Sequence, residues 1–480
     1  MSHGVFQYLN IARVTVECDS PLSIGSGETN PVHDLMVLRD WDGLPAIPGT
    51  SLAGVLRSAY GLRVKDEVAT QSLFGQGKPK EENTVGRPDN IAEASSTYYA
   101  SRLFVSWARI FGDNNKPAKR HITPNEIADA PILSWVSQDQ PLKRDHVALN
   151  EFGTAVDHAK FDRGAVPRGA RFMFELAIES NDLETVTEEM AALLSIIKSP
   201  NFRLGGATRR GYGRMKAVAV SQKCFDLKEA VDLKKLGEIS PDFNVAPEGL
   251  SNSDLEKSDT TKSLTLELKP DGFWRTGDGS EYLKQKMTTL NENYDREPDS
   301  SPIVERYIDW TGNDHPKGKI SEPYLVFPGA SMKGALRHRT RFHLHRLAGS
   351  IENDMEWLFG SAKEEDKGQA GRVYVNDDYI KFEPNHIGRL THVALDQFIQ
   401  APLDGALFSE EAVFGLPVTL SLQLETSDGT QNDNAIKALK MALTDVAEGR
   451  LALGGGAANG HGYFTADTMA IKNWMAEAPK

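Results

Sequence analysis

Cysteine is nearly absent: Cys18 and Cys224 are the only two among 480 residues, and neither belongs to a Cys-x-x-Cys pair. That excludes a disulfide framework and a cysteine-based zinc site, and it fits a reducing, cytoplasmic setting. No apolar run approaches the ~18 residues a membrane helix needs, so no membrane partner is expected. The opening Met1-Ser2-His3-Gly4 lacks the basic and apolar stretches of a secretory signal, and none is expected. A Gly-Lys-Ser/Thr phosphate loop is missing too, which argues against P-loop nucleotide chemistry. Positive charge is also in deficit, with a net charge of −13. Taken alone, that opposes nucleic-acid binding.

Placement matters more than the sum, however. Residues 203–216 carry five Lys/Arg and no acid, and residues 331–347 carry five Lys/Arg, three His and no acid. Acids concentrate in 181–189, 225–260, 289–299 and 352–366. The pattern predicts basic faces on an acidic body.

The length exceeds one ordinary core, so two or three domains are expected. Internal similarity settles how they are arranged. Ile47-Pro48-Gly49-Thr50-Ser51-Leu52-Ala53-Gly54 with Arg57 is matched by Phe327-Pro328-Gly329-Ala330-Ser331-Met332-Lys333-Gly334 with Arg337. Leu73-Phe74-Gly75 is matched by Leu358-Phe359-Gly360. His146-Val147-Ala148-Leu149-Asn150-Glu151-Phe152 is matched by His392-Val393-Ala394-Leu395-Asp396-Gln397-Phe398. Leu204-Gly205-Gly206 with Gly211-Tyr212-Gly213 is matched by Leu453-Gly454-Gly455 with Gly460-His461-Gly462. Four matches in one order imply duplication: a first domain over 1–240, a linker over 241–262 and a second domain over 263–480.

Each copy reads as α+β. Val14, Val16 and Cys18 alternate as in a half-buried strand, as do Phe172, Phe174, Leu176 and Ile178. Leu52, Val55, Leu56 and Ala59 share a helix face, with Thr50 or Ser51 expected as its cap. A second helix carries Val186, Met190, Leu193 and Ile197. Phe225–Leu236 is expected to include a short helix. In the second copy Leu264, Leu266 and Leu268, then Val418, Leu420, Leu422 and Leu424, read as strands, and Ile436, Leu439, Leu443 and Val446 line a helix. The order β-α-β-β-α-β is the ferredoxin-like arrangement, shared with RRM-like modules.

At the Pro-Gly-x-Ser-x-x-Gly helix start and the late glycine loop, the chain resembles the RAMP superfamily of CRISPR-associated proteins. Within it, the resemblance is to Csm/Cmr-like backbone subunits of type III effector complexes, in a tandem form like that of type III-D systems. It implies guide RNA, complementary target RNA and other effector subunits as partners. It also implies a β-hairpin thumb in each module, about 144–168 and 390–415, that wedges into the guide–target duplex. His146, Phe152, His392 and Phe398 are then thumb residues. Val147, Leu149, Val393 and Leu395 are expected to pack their hairpins on the core, while Phe152 and Phe398 suit packing and base stacking equally. Gly205, Gly206, Gly454 and Gly455 are expected to bring backbone N–H groups to guide phosphates, aided by Arg209, Arg210 and Arg214. Ser51 and Ser331 open helices that present N–H groups to the same strand, with Arg57, Lys333 and Arg337 beside them.

The resemblance further implies target cleavage by an aspartate in the loop before the Pro-Gly turn, with Mg²⁺ or Mn²⁺. Asp34 holds that place, as catalytic residue and metal ligand, with His33 beside it as a possible proton partner. Asp314 lies as far before Pro328 as Asp34 does before Pro48, and is the candidate of the second copy, with Asp309 next. Two alternatives stay open: a non-catalytic RNA-binding scaffold, and a metal-independent guide-processing endoribonuclease using a histidine such as His461.

Overall fold

The computed structural model describes residues 6–27, 34–76, 100–139, 141–150, 153–245, 250–252, 261–277, 298–311, 317–347, 350–361, 368–426 and 432–474. The first half contains β1 (Tyr8–Cys18), β2 (Ala46–Ile47), α1 (Gly49–Val64), β3 (Leu103–Val105) and β4 (Ala108–Ile110). There follow β5 (Leu142–Leu149), β6 (Ala155–Ala165), β7 (Arg171–Ser180), α2 (Leu183–Ile197) and β8 (Met215–Asp226). Antiparallel strands run in the order β2-β4-β7-β1-β8, with β3 also beside β7. Inward residues of β1 and β7 meet one face of each helix: Val14, Val16, Phe172 and Phe174 pack with Leu52, Leu56, Val186, Met190 and Leu193 in one core. Burying that apolar surface supplies the drive that holds helix to sheet.

The second half repeats the scheme with β9 (Thr261–Pro270), β10 (Ile308–Thr311), β11 (Lys317–Ile320), β12 (Tyr324–Phe327) and α3 (Gly329–Leu344). After these come β13 (Val373–Val375), β14 (Asp378–Ile380), β15 (Ile387–Leu395), β16 (Pro402–Phe414), β17 (Val418–Glu425), α4 (Asp433–Ala447) and β18 (Phe464–Thr465). Its main sheet runs β13-β17-β9-β18. Leu264, Leu266, Leu420 and Leu422 pack against Met332, Leu336, Leu439 and Leu443. Strands and helices fall where the periodicities place them.

Differences are local. Pro48 and Pro328 occupy the N-cap positions without a side-chain cap, so neither Thr50 nor Ser51 caps α1. Proline's fixed φ suits the entry to a helix, and the following N–H groups fold back: Ser51 N–H donates to the Pro48 carbonyl (3.0 Å) and Ser331 N–H to that of Pro328 (3.0 Å). Phe225 still belongs to β8, which ends at Asp226, and the short helix begins at Ala230. Within the expected linker, Ser251–Asn252 pairs with β8.

The two cores are bound to each other. The hairpin β10–β11, without a counterpart among the described residues of the first copy, lays Ile308, Trp310 and Ile320 against the first core. The Trp310 indole donates to the Gly169 carbonyl (2.7 Å), and the Arg171 guanidinium stacks 4.2 Å above its ring.

Candidate RNA-binding and cleavage site

The hairpins expected as thumbs are present as β5–β6 and β15–β16, with His146 opposite Phe161 and His392 opposite Phe408. Val147, Leu149, Val393 and Leu395 do not pack on a core; about half of each side chain faces solvent. Alternation on a two-stranded ribbon leaves one face without a layer to cover it. Phe398 stands 84% exposed at the second tip with Ile399 beside it, while Phe152 lies outside the described residues. The histidines sit at the bases. His146 contacts the Tyr212 hydroxyl (3.0 Å) and stacks on Phe161; burial, then the charges of Arg144, Arg163 and Arg210, lower its pKa to about 4. His392 instead meets the buried Glu410 carboxylate (2.9 Å).

Asp34 is exposed at the base of the first hairpin and tied to it from both sides. Its carboxylate accepts the Asp162 N–H (2.9 Å), while its own N–H donates to the Asp162 carboxylate (2.7 Å). One register further, the Gly164 N–H donates to the Leu35 carbonyl (2.8 Å). The Lys143 ammonium pairs with Asp162 (3.2 Å). Sequence spacing missed Asp162 and Lys143, because only strand register brings residues so far apart in the chain to one place. Asp40 heads the turn before β2, where its carboxylate accepts from Asp42 and Leu44 N–H (both 3.0 Å). His33 and Asp314 lie outside the described residues, and Asp309 pairs with Lys319 (3.6 Å) on the extra hairpin.

Among the described residues no three His, Cys, Asp or Glu side chains gather as a metal cage. A single exposed carboxylate fits a Mg²⁺ or Mn²⁺ ion held jointly with an RNA phosphate, since Mg²⁺ commonly takes one or two protein carboxylates plus substrate oxygens.

The glycine loops have a different first task. Gly205 has φ +77°, and a Cβ there would stand 2.3 Å from the Ser23 carbonyl oxygen. Gly206 N–H donates to that carbonyl and Gly455 N–H to that of Arg275 (both 2.8 Å), so these groups close the fold onto its own loops. Gly454 plays the part of Gly205 against Arg275. Arg214 is engaged with Asp19, and Arg57 with the Gly75 carbonyl (3.0 Å).

The remaining cations converge at the junction of the two copies. Arg209 lies over the Tyr374 ring (5.0 Å) and donates to the Gly371 carbonyl, and Arg210 bridges to Val375 as an exposed residue. Both act on Lys333 of α3, and Arg210 acts also on Arg337, an effect that Glu352 offsets in part. Lys333 is pushed down to about 7 by burial and then by the charges of Arg209, Arg210, Arg337 and Arg203; its ammonium donates to the Val373 carbonyl (2.6 Å). The α3 N-terminus already holds an anion, since Gly329 N–H donates to Asp377 (2.7 Å), so Ser331 marks a helix start that the protein itself occupies.

The RAMP superfamily model matches this chain twice, over residues 15–216 and 261–465. The chain belongs to the RAMP superfamily. It is a tandem RAMP protein, and the two matches coincide with the two cores described above. No curated protein matches it. Among the described residues no helix is long and apolar enough to cross a membrane. For a RAMP protein, the cations gathered around Lys333 between its modules are the feature that most invites a polyanion: burial and four neighbouring arginines act against its charge.

Proposed function

We propose that this tandem RAMP protein is a backbone subunit of a type III CRISPR effector complex, that it binds guide RNA, and that it cuts complementary target RNA. The carrying observation is the convergence, at the seam between the modules, of Arg209 on Tyr374 and Gly371, Arg210 on Val375, and Lys333 and Arg337 on α3. Burial and then the arginine charges lower Lys333 there to about 7. A phosphate backbone laid along the exposed Arg210 sets further negative charge against these cations. The strand order of both modules, with the fourth strand beside the first and the second beside the third, supports a ferredoxin-like reading of each, a fold that RNA-binding modules use. The exposed apolar hairpin residues act as thumbs, stacking on or wedging between bases, a contact worth roughly 1–3 kcal/mol per base.

Cleavage requires a 2′-oxygen in line with the departing 5′-oxygen, a geometry that stacked A-form RNA denies. A wedge at the hairpin that unstacks one nucleotide provides it, so positioning is the chief contribution. The 2′-oxygen bonds to phosphorus and the P–O5′ bond breaks. The 2′-hydroxyl proton passes to water and the 5′-oxygen takes one up, leaving a 2′,3′-cyclic phosphate and a 5′-hydroxyl. Asp34 stands at the hairpin base as the residue that would hold the divalent ion, which offsets charge developing on the phosphate. A guide-processing mechanism through His461 finds less support, because that ring is buried beside Glu410.

Two measurements test this reading. Asp34→Ala in the assembled complex, with matched target RNA and Mg²⁺, is expected to lose cleavage while keeping bound RNA; unchanged cutting removes Asp34 from the mechanism. Arg210→Glu with Arg337→Glu is expected to weaken RNA binding more than tenfold and to flatten the salt dependence by about 0.7 per lost phosphate contact. An unchanged salt slope removes the seam from the RNA path.

A further inference from the structure

Hydrogen-bond register, rather than distance along the chain, identifies the counterpart of Asp34 in the second module. In the first, Asp34 accepts the Asp162 N–H (2.9 Å), Leu35 accepts from Gly164 (2.8 Å), and Leu38 N–H donates to Ile24 (2.8 Å). In the second, Asp299 accepts the Ser409 N–H (2.8 Å), Ser300 accepts from Glu411 (2.9 Å), and Ile303 N–H donates to Thr276 (3.2 Å). Further along, Ala46 N–H donates to Leu38 (3.2 Å) as Val326 N–H does to Ile303 (2.9 Å). These four bonds of one module have their partners in the other, and they place Asp299 on Asp34. The aspartate's own N–H goes to the Asp162 carboxylate in the first module and to the Ser409 carbonyl (2.8 Å) in the second.

The surroundings agree. Register sets Ser409 on Asp162 and Arg389 on Lys143, because His392–Phe408 overlies His146–Phe161. Lys143 contacts the Asp162 side chain (3.2 Å), and the Arg389 guanidinium contacts the Ser409 hydroxyl (3.2 Å). Both sites thus combine an aspartate clamped by a hairpin N–H with a cation reaching the same hairpin residue from the opposite strand. Asp299 is half-buried where Asp34 is exposed. The additional hairpin β10–β11 falls between Asp299 and Pro328, so counting back from the proline lands on Asp314, inside the insertion.

We infer that Asp299 is the catalytic aspartate of a second cutting site, acting on the same RNA strand one module along. This rests on the nuclease reading of Asp34. The displacement is the same: the 2′-oxygen bonds to phosphorus, the P–O5′ bond breaks, and protons exchange with water as at the first site.

The test uses the full chain in its assembled complex, end-labelled RNA complementary to the bound guide, and Mg²⁺. Wild type is expected to give two cuts. Asp299→Ala removes one, Asp34→Ala removes the other, and the double variant removes both. Asp299→Asn, which keeps an oxygen for the Ser409 N–H, repeats the loss of its cut with RNA content unchanged, separating chemistry from folding. Both cuts surviving Asp299→Asn while Asp34→Ala removes one would overturn the second site alone. Loss of the second cut in Asp314→Ala would overturn it too. Cutting that persists in the double variant overturns both readings together.

Discussion

The two hairpin bases show what one fold does when joined and when free. At the first, Arg144 is buried in the other module: its guanidinium meets Glu305 in two contacts (2.5 and 2.7 Å) and Asp377 in a third (2.6 Å), with the Tyr379 hydroxyl at 3.3 Å. Burial works against its charge, and the two carboxylates more than offset that, holding its pKa well above the ordinary value. At the same register of the second hairpin stands Leu390, opposite Glu410 as Arg144 is opposite Arg163. The receiving surface changes as well. Where the second module offers Asp377 and Tyr379, strand register puts Trp107 and Arg109 on the first, lining an open cleft of about 450 Å³ with Trp41 and Asp40. A buried ion pair costs much unless both partners are always present. Here one polypeptide carries both, so the buried Arg144 pairs lie at the internal seam. The corresponding open cleft of the first module mixes Trp41 and Trp107 with Asp40 and Arg109.

The sharpest way to break that contrast is Arg144→Leu, which gives the first hairpin the residue of the second. It strands Glu305 and Asp377 inside the protein, and a loss of about 3–5 kcal/mol is expected. Urea unfolding measures it, and a loss below about 1 kcal/mol would show that the modules do not depend on this contact. Gly211 belongs to the same seam: its φ is +90°, and a Cβ there would fall 1.9 Å from the Asp377 carboxylate.

The histidines extend the comparison to pH. His146 lies among cations and titrates near 4, whereas His392 faces a carboxylate. A histidine with its folded value below the unfolded ~6.5 stays neutral in the native state while the unfolded chain takes up a proton. Stability is therefore intact above about pH 6.5, falls as pH drops toward about 4, and changes no further below, by at most about 3 kcal/mol. Unfolding midpoints at pH 7.5 and 4.5 should differ less in His146→Gln than in wild type. Equal differences would mean that the ring is solvated in the native protein.

How far the sequence carries depends on the range of each signal. Strands and helices were legible because periodicity is local: Val14, Val16 and Phe172 alternate into the core, and Met190 and Leu443 recur at helical spacing. Duplication was legible because equivalent motifs keep their order. What escaped depends on register or docking. Nothing near Asp34 in the chain announces Asp162, Arg144 carries no sign of its partners, and the insertion between Asp299 and Pro328 made distance along the chain a misleading guide. The glycines were legible as special positions, but their task lies in close packing on Ser23 and Arg275, which only the folded loops reveal.

The smallest effect completes the comparison. Leu390→Arg gives the second hairpin the residue that the first buries, at a half-buried site where a long side chain can carry its charge into water. Stability of the isolated chain should move by no more than about 0.5 kcal/mol, the usual range for surface substitutions. Paired with Arg144→Leu under the same conditions, it separates two explanations of the seam. A register that intrinsically favours arginine would make Leu390→Arg stabilising and Arg144→Leu costly. A requirement set only by the facing carboxylates makes the first nearly silent and the second severe, because the energy resides in Glu305 and Asp377 rather than in the hairpin that reaches them.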